Sequence, residues 1–311
     1  MDKNSKIYVA GHTGLVGSAI VRCLQKNGYL NLITIDIKDL DLRRQKEVED
    51  FFAEMQPEYV FLSAAKVGGI LANNTYPAQF IYDNLMIATH IIHSAFLNNV
   101  KKLLFLGSSC IYPKMAAQPI KEEYLLTGSL ETTNEAYAIA KITGLELCKF
   151  YRREYGCDFI SAMPTNLYGI NDNFDLENSH VLPALIRKFH EAKITGKEEV
   201  VIWGTGTPKR EFLYVDDLAD ALLFLMQHYT GEEAVNIGTG EDTAISCLAQ
   251  TVKEIVGFNG KIVYDATKPD GTPRKWLDVT KIRNLGWKHN TNLTEGITKV
   301  YEWYKKSINV S

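Results

Sequence analysis

Cysteine is sparse. The chain has five in 311 residues, at positions 23, 110, 148, 157 and 247, and no two form a CxxC pair. Their odd number and wide spacing exclude a disulfide framework and the common structural zinc sites, so no metal is expected. No apolar run reaches the ~18 residues a membrane-spanning helix requires. The opening MDKNSKIYVAG enters a strand pattern at once, without the apolar stretch of a secretory leader. Neither sign of charge dominates: 34 Lys and Arg are interspersed with 37 Asp and Glu, for a net charge of −3, so nucleic acid is not an expected partner. Internal repeats and low-complexity linkers are also missing. A cytoplasmic protein with no membrane partner is the expectation these absences leave.

What is present is a core-forming composition, 46% hydrophobic, arranged in alternating patterns over roughly the first half. KIYVAG, NLITIDI, PEYVFLSAA, KKLLFLGSS and DFISAMP read as strands. Between them SAIVRCLQKNG, EVEDFFAEMQ, IYDNLMIATHIIHSAFLNN and AYAIAKITGLELCKFYRREYG carry apolar residues at helical spacing. This βαβ alternation predicts an α/β fold, a Rossmann-type doubly wound parallel sheet. Beyond Pro164 a long Asn- and Asp-rich loop, TNLYGINDNFDLENSH, breaks the pattern. The expected division is a dinucleotide-binding domain of residues 1–170 plus about 212–238. A smaller, mixed α/β substrate-binding lobe then takes about 171–211 and 239–311.

GHTGLVG, Gly11 to Gly17, lies between the first strand and the first helix. Glycines at this GxxGxxG spacing permit a tight turn and a close approach of backbone to a pyrophosphate at the helix N-terminus. Asp36, expected at the end of the second strand, suits an adenosine ribose and disfavours a 2′-phosphate. Lys38, Arg43 and Arg44 nearby suit that phosphate, so NADPH and NADH both stay open.

Tyr137 and Lys141 in AYAIAK stand four apart on one helix face. A lysine ammonium near a phenol lowers the phenol's pKa and suits it to proton transfer. Ser108, at the end of the fourth strand, can bond the same substrate oxygen. The cysteine that follows it in FLGSSCIYP fits four roles: core filler, metal ligand, nucleophile or acid–base group.

GHTGLVG, LGSSCIYP and EAYAIAK, in that order, resemble the extended short-chain dehydrogenase/reductases. AAKVGGI (64–70), PTNLYG (164–169), NSHVLPALIRKF (178–189), WGTGTPKREFLYVDD (203–217) and KPDGTPRKWLD (268–278) extend the likeness nearly end to end. They resemble one family within that group, the GDP-L-fucose synthases. These are bifunctional NADPH-dependent enzymes that epimerise GDP-4-keto-6-deoxy-D-mannose at C3 and C5 and then reduce C4. The resemblance implies Cys110 as base and His180 as acid, with Ser108, Tyr137 and Lys141 serving the reduction. It implies a cofactor site formed by Gly11, His12, Thr13, Gly14, Leu15, Val16, Gly17, Asp36, Lys38, Leu106, Gly107, Ser108, Tyr137, Lys141, Pro164, Thr165, Asn166, Leu167 and His180. It places Ser108, Lys188, Trp203, Arg210 and Asp270 around a GDP-sugar, and it implies a homodimer. The chain departs from some relatives at Thr13, where they carry a basic residue. Two other readings stand beside this one: the same or reductase-only chemistry on another GDP-4-keto sugar, such as a heptose, and a non-catalytic dinucleotide-binding redox sensor.

Overall fold

The computed structural model describes residues 1–176, 179–268 and 270–308. Asn178 of the NSH motif and Pro269 of KPDG lie outside the described residues. The first alternation is β1 (Ile7–Ala10), α1 (Leu15–Lys26), β2 (Leu32–Ile33), α2 (Gln45–Met55) and β3 (Tyr59–Leu62). After it come α3 (Ile70–Thr75), α4 (Pro77–Leu97), β4 (Lys102–Leu106), α5 (Glu135–Tyr155) and β5 (Phe159–Pro164). The chain continues through β6 (Asn166–Tyr168), α6 (Val181–Ile194), β7 (Glu199–Trp203), β8 (Lys209–Arg210), β9 (Phe212–Tyr214), α7 (Val215–His228) and β10 (Val235–Ile237). It closes with β11 (Thr243–Ala244), α8 (Ile245–Val256), β12 (Lys261–Asp265), β13 (Arg274–Lys275), α9 (Thr280–Leu285) and α10 (Leu293–Ile308).

Six strands form one parallel sheet in the order β10-β5-β4-β3-β1-β2. β1, β4 and β5 are buried along their whole length, as strands covered by helices on both faces must be. Each covering helix turns an apolar stripe inward. On α2 that stripe is Val48, Phe51 and Phe52, and both phenylalanines meet the Tyr8 ring, at 4.8 and 5.9 Å between centroids. The strand order reverses between β1 and β3, and that switch point is where such sheets open a crevice beyond the strand ends.

The expected strand NLITIDI shortens to Leu32–Ile33 because it is the sheet edge and its chain turns early. The Asp36 carboxylate accepts the Lys38 N–H at 3.0 Å, and the Asp36 carbonyl takes the N–H groups of Asp39 and Leu40. Asp36 therefore lies in a turn three residues past the strand, rather than at its end.

Two apolar cores divide the molecule. The larger surrounds the parallel sheet and also takes in Leu277, Val279, Ile282 and Trp287, which the sequence pattern assigns to the smaller lobe. The smaller core is built from Tyr168, α6, α8, α10 and the strands beside them. Of the short sheets β11-β8-β13, β12-β7 and β6-β9, the last contributes to both, with Leu167 and Leu213 at the larger core and Tyr168, Phe212 and Tyr214 in the smaller. No helix among the described residues is long and apolar enough to cross a membrane.

Candidate active site

The glycine loop occupies the switch point. Gly11 has φ +83°, and its missing side chain leaves room for Ala64 just past β3, whose Cα would lie 2.8 Å from an added Cβ. A Cβ on buried Gly17 would lie 2.0 Å from the Gly11 carbonyl oxygen. Gly14 caps α1 with extended backbone and no side-chain bond, and the first turn of α1 has no acid. The free N–H groups of Leu15, Val16 and Gly17 thus meet no competing carboxylate. Thr13 and Gly14 are exposed beside them. His12 keeps a buried Nδ1 without a partner. These features fit a pyrophosphate.

Around Asp36 the three cations differ. Arg43 is held by Asp41 at 2.8 Å and by the largely buried Asp83 at 3.4 Å, and Arg44 leans toward Asp41 at 3.8 Å. Lys38 is exposed and makes no ion pair among the described residues.

The chemistry-bearing side chains gather beyond β4. Gly107 donates to the Ala162 carbonyl at 2.9 Å, which draws the chain across the end of β5 before it turns. Ser108 begins a short 3₁₀ turn, Ser109–Ile111, and its Oγ accepts the Cys110 N–H at 3.3 Å. Tyr137, on the first turns of α5, shares a hydrogen bond with the Ser108 side chain. Lys141, one turn on, is buried and donates from Nζ to the Leu106 carbonyl at 2.7 Å. Ser108, Cys110, Tyr137 and Lys141 are therefore one cluster.

Their electrostatics depart from the expectation for tyrosine. Burial raises the Tyr137 phenol well above its usual value, the nearby Cys110 raises it further, and only the Ser108 hydrogen bond opposes this. Lys141 sits 5.8 Å from the Tyr137 ring centroid and spends a donor on Leu106. The phenol accordingly stays protonated at neutral pH, as a proton donor. Burial lowers Lys141 to about 8, with Cys110 opposing.

His180 caps α6 and accepts the Ala184 N–H on its carbonyl. Its surface is open, yet enough protein surrounds the imidazole for desolvation to lower its pKa. Its side chain makes no hydrogen bond to the Ser108–Cys110–Tyr137–Lys141 cluster among the described residues. Pro164 ends β5, and Leu167 packs against the larger core. Thr165 Oγ1 and Asn166 Nδ2 both donate to the Glu211 carbonyl, at 3.3 and 2.8 Å.

In the smaller lobe Lys188 donates to the Val201 carbonyl at 3.2 Å and lies 5.5 Å from the centre of the exposed Trp203 ring; Lys268 approaches the same ring at 5.6 Å. Asp270 is engaged with the turn after β7. Its two oxygens accept from the Thr205 N–H at 2.7 Å and the Thr205 hydroxyl at 2.8 Å. Arg210 is half-buried, and desolvation lowers its guanidinium while Asp270 opposes. Lys188, Trp203, Arg210 and Asp270 thus lie around the exits of β7 and β8.

Two polar residues escape a reading of the sequence. Asn84, buried on α4, brackets Lys66 by accepting its N–H at 2.9 Å and donating to its carbonyl at 3.0 Å, which holds the AAKVGG loop. Glu211 is fully buried in the second half. The available signal was an acid inside the apolar stretch EFLYV.

Residues 7–238 match the NAD dependent epimerase/dehydratase family. The chain belongs to that family. Within it, the chain is 62% identical over 307 residues to GDP-L-fucose synthase 1 of Arabidopsis thaliana, covering 99% of this chain and 95% of that protein. It is 54% identical to GDP-L-fucose synthase of Escherichia coli K12, over 96% of each. Among solved structures it resembles MlghC, a GDP-mannoheptose C4 reductase of Campylobacter jejuni with NADP bound. That match has 46% identity, a TM-score of 0.90, and coverage of 98% of this chain and 99% of that one.

Proposed function

We propose that this member of the family converts GDP-4-keto-6-deoxy-D-mannose to GDP-L-fucose, epimerising C3 and C5 and then reducing C4 with NADPH. The observation that carries the reading is the cluster of Ser108, Cys110, Tyr137 and Lys141 at the crevice of the sheet. The 62% and 54% identities to GDP-L-fucose synthases support the substrate.

A C4 carbonyl acidifies the protons on C3 and C5. In this reading Cys110, as thiolate, takes the proton from one carbon and protonated His180 gives one to the opposite face of the same carbon. The thiol then loses its proton to solvent and the imidazole regains one before the second carbon reacts in the same way. Ser108 and Tyr137 donate to the enolate oxygen while it carries charge. The desolvated His180 imidazole, when protonated, gives up its proton more readily than a solvated one. Bound NADPH supplies a hydride to C4. Tyr137, kept protonated by its burial, then gives its proton to the C4 oxygen. Lys141 places positive charge beneath this exchange and holds the end of β4 in register with α5.

The dinucleotide is held by the Gly11–Gly17 loop, by Leu106 and Gly107, and by Pro164 to Leu167, with Asp36 and Lys38 at the adenosine ribose. Arg210 and Lys188 take the diphosphate, Trp203 lies beside the base, and Asp270 shapes that end of the site. A cytoplasmic homodimer belongs to the same reading. Exposed Leu97, Phe150 and Tyr155 on α4 and α5 supply apolar surface for a second copy.

The heptose alternative draws on the 46% identity to the C. jejuni GDP-mannoheptose reductase. One experiment separates the two: incubation of the purified chain with NADPH and GDP-4-keto-6-deoxy-D-mannose in deuterated water, with the product read by NMR. GDP-L-fucose carrying deuterium at C3 and C5 is expected. Reduction without deuterium at those carbons, or turnover only with a GDP-4-keto heptose, would reject the reading.

A further inference from the structure

A single residue, Glu211, separates β8 from β9, and none of its surface is exposed (0%). β8 lies in the sheet β11-β8-β13, and β9 pairs with β6. Glu211 is thus where one segment leaves the sheet that carries Arg210 and enters the pair that carries Asn166. Its groups bond in both directions. One carboxylate oxygen accepts the Gly240 N–H at 2.7 Å and the Thr239 hydroxyl at 3.4 Å, and the other accepts the Leu277 N–H at 2.9 Å. The Glu211 carbonyl accepts from Asn166 Nδ2 and Thr165 Oγ1, and its N–H donates to the Lys275 carbonyl at 3.3 Å. A Cβ on Gly238 would lie 2.2 Å from the carboxylate, so the chain beyond β10 has closed tightly over it.

A carboxylate with no access to water is tolerated only where donors surround it, and here those donors come from segments far apart in sequence. Among the described residues Oε2 has the Leu277 N–H and Oε1 has the Gly240 N–H with the Thr239 hydroxyl, so a shift of either segment weakens the bonding of a buried acid. The two ends of the knot are the residues assigned above to different ligands: Thr165 and Asn166 to the dinucleotide, and Arg210 to the nucleotide-sugar diphosphate. We propose that Glu211 is a positioning residue that couples these two binding sides, so that ordering one side by its ligand orders the other. This rests on the ligand assignments under the proposed function. The coupling is reciprocal by necessity: the dinucleotide tightens GDP by the same factor as GDP tightens the dinucleotide.

The test is calorimetric titration of GDP into the protein with and without saturating NADP+, for the wild type and Glu211→Gln. Glutamine keeps the volume but turns an amide donor toward a backbone N–H. In the wild type, NADP+ is expected to tighten GDP by about 5-fold or more. In Glu211→Gln that factor is expected to fall to about 2-fold or less, while each ligand alone binds within about 3-fold of the wild type. Thr239→Val removes the 3.4 Å hydroxyl donor, together with that hydroxyl's bonds to the Glu241 carbonyl and N–H, at a partly exposed position, and it is expected to reduce the factor partway. If Glu211→Gln fails to fold, Thr239→Val decides, and an unchanged factor there overturns the proposal. A folded Glu211→Gln with the wild-type factor also overturns it, as does independent binding of the two ligands by the wild type. A wild type that binds no GDP at all overturns the functional reading as well, which distinguishes the two failures.

Discussion

Lys141 Nζ on α5 donates to the carbonyl of Leu106, the last residue of β4, at 2.7 Å. Ser108 follows Leu106 by two residues, and Tyr137 precedes Lys141 by one helical turn, so this bond sets Ser108 opposite Tyr137. Burial brings the ammonium down to about 8. The charged form that makes the bond is therefore present below that pH and lost above it. The reductive step is expected to decline as pH rises through about 8. Stability moves the other way: an unfolded lysine keeps its proton to higher pH, so the unfolded chain binds more protons over that interval and the fold gains as pH rises. Rate–pH profiles with parallel thermal melts check this. A decline that tracks loss of the fold would refute it, and Lys141→Met is expected to remove the limb and slow reduction by roughly 100-fold.

Cys110→Ser keeps the 3₁₀ turn, because the bond to Ser108 comes from the Cys110 backbone. It is expected to lower solvent-deuterium exchange at C3 and C5 by roughly 10²–10⁴-fold. NADPH oxidation with an already epimerised GDP-4-keto sugar should stay within a few-fold of the wild type. Exchange that persists in the variant would remove Cys110 from the role of base.

Among the described residues Lys38 is the cation without an ion pair beside Asp36, since Arg43 is held between Asp41 and Asp83. Lys38→Ala should raise KM for NADPH by about 10-fold, the low end for a charged hydrogen bond at an exposed site, and leave KM for NADH unchanged. Steady-state kinetics with both cofactors measure the split. An equal change in both constants would show that Lys38 does not meet the 2′-phosphate.

Gly17→Ala places a methyl 2.0 Å from the Gly11 carbonyl, at backbone that has no flexible side chain to yield. The loop must shift, at an expected cost of ~1–3 kcal/mol of stability together with loss of NADP+ binding. Thermal melts and calorimetry report the two effects separately. Unchanged affinity for NADP+ would move the pyrophosphate away from this loop.

Much of the fold was legible because its elements are long and periodic. The stripes of α4 and α5 and the doubly buried runs of β3, β4 and β5 carry their signals locally. β2 was overextended because LITIDI has strand composition, whereas its length is decided by an edge position and by the Asp36 turn. The spacing of Tyr137 and Lys141 placed both on one face, as read. The effect of Lys141 on Tyr137 was misjudged, because burial of the phenol outweighs a cation 5.8 Å from the ring. Glu211 gave almost no local sign of its role, since its donors come from residues 239, 240 and 277.

By itself the sequence determined the order of strands and helices, the glycine loop between the first two, and the residue types available for chemistry: serine, cysteine, tyrosine, lysine and histidine. These are local properties, written in periodicity and in short spacings. Tertiary structure alone decided which charges are committed and which proton states burial enforces. Arg43 is occupied by Asp83 from a different element, while Lys38 stays open. Tyr137 is protonated because the protein excludes water around it, and Lys141 is weakened by that same exclusion. Ion pairing and desolvation depend on what long-range folding brings within a few ångströms, and no stretch of sequence records that distance.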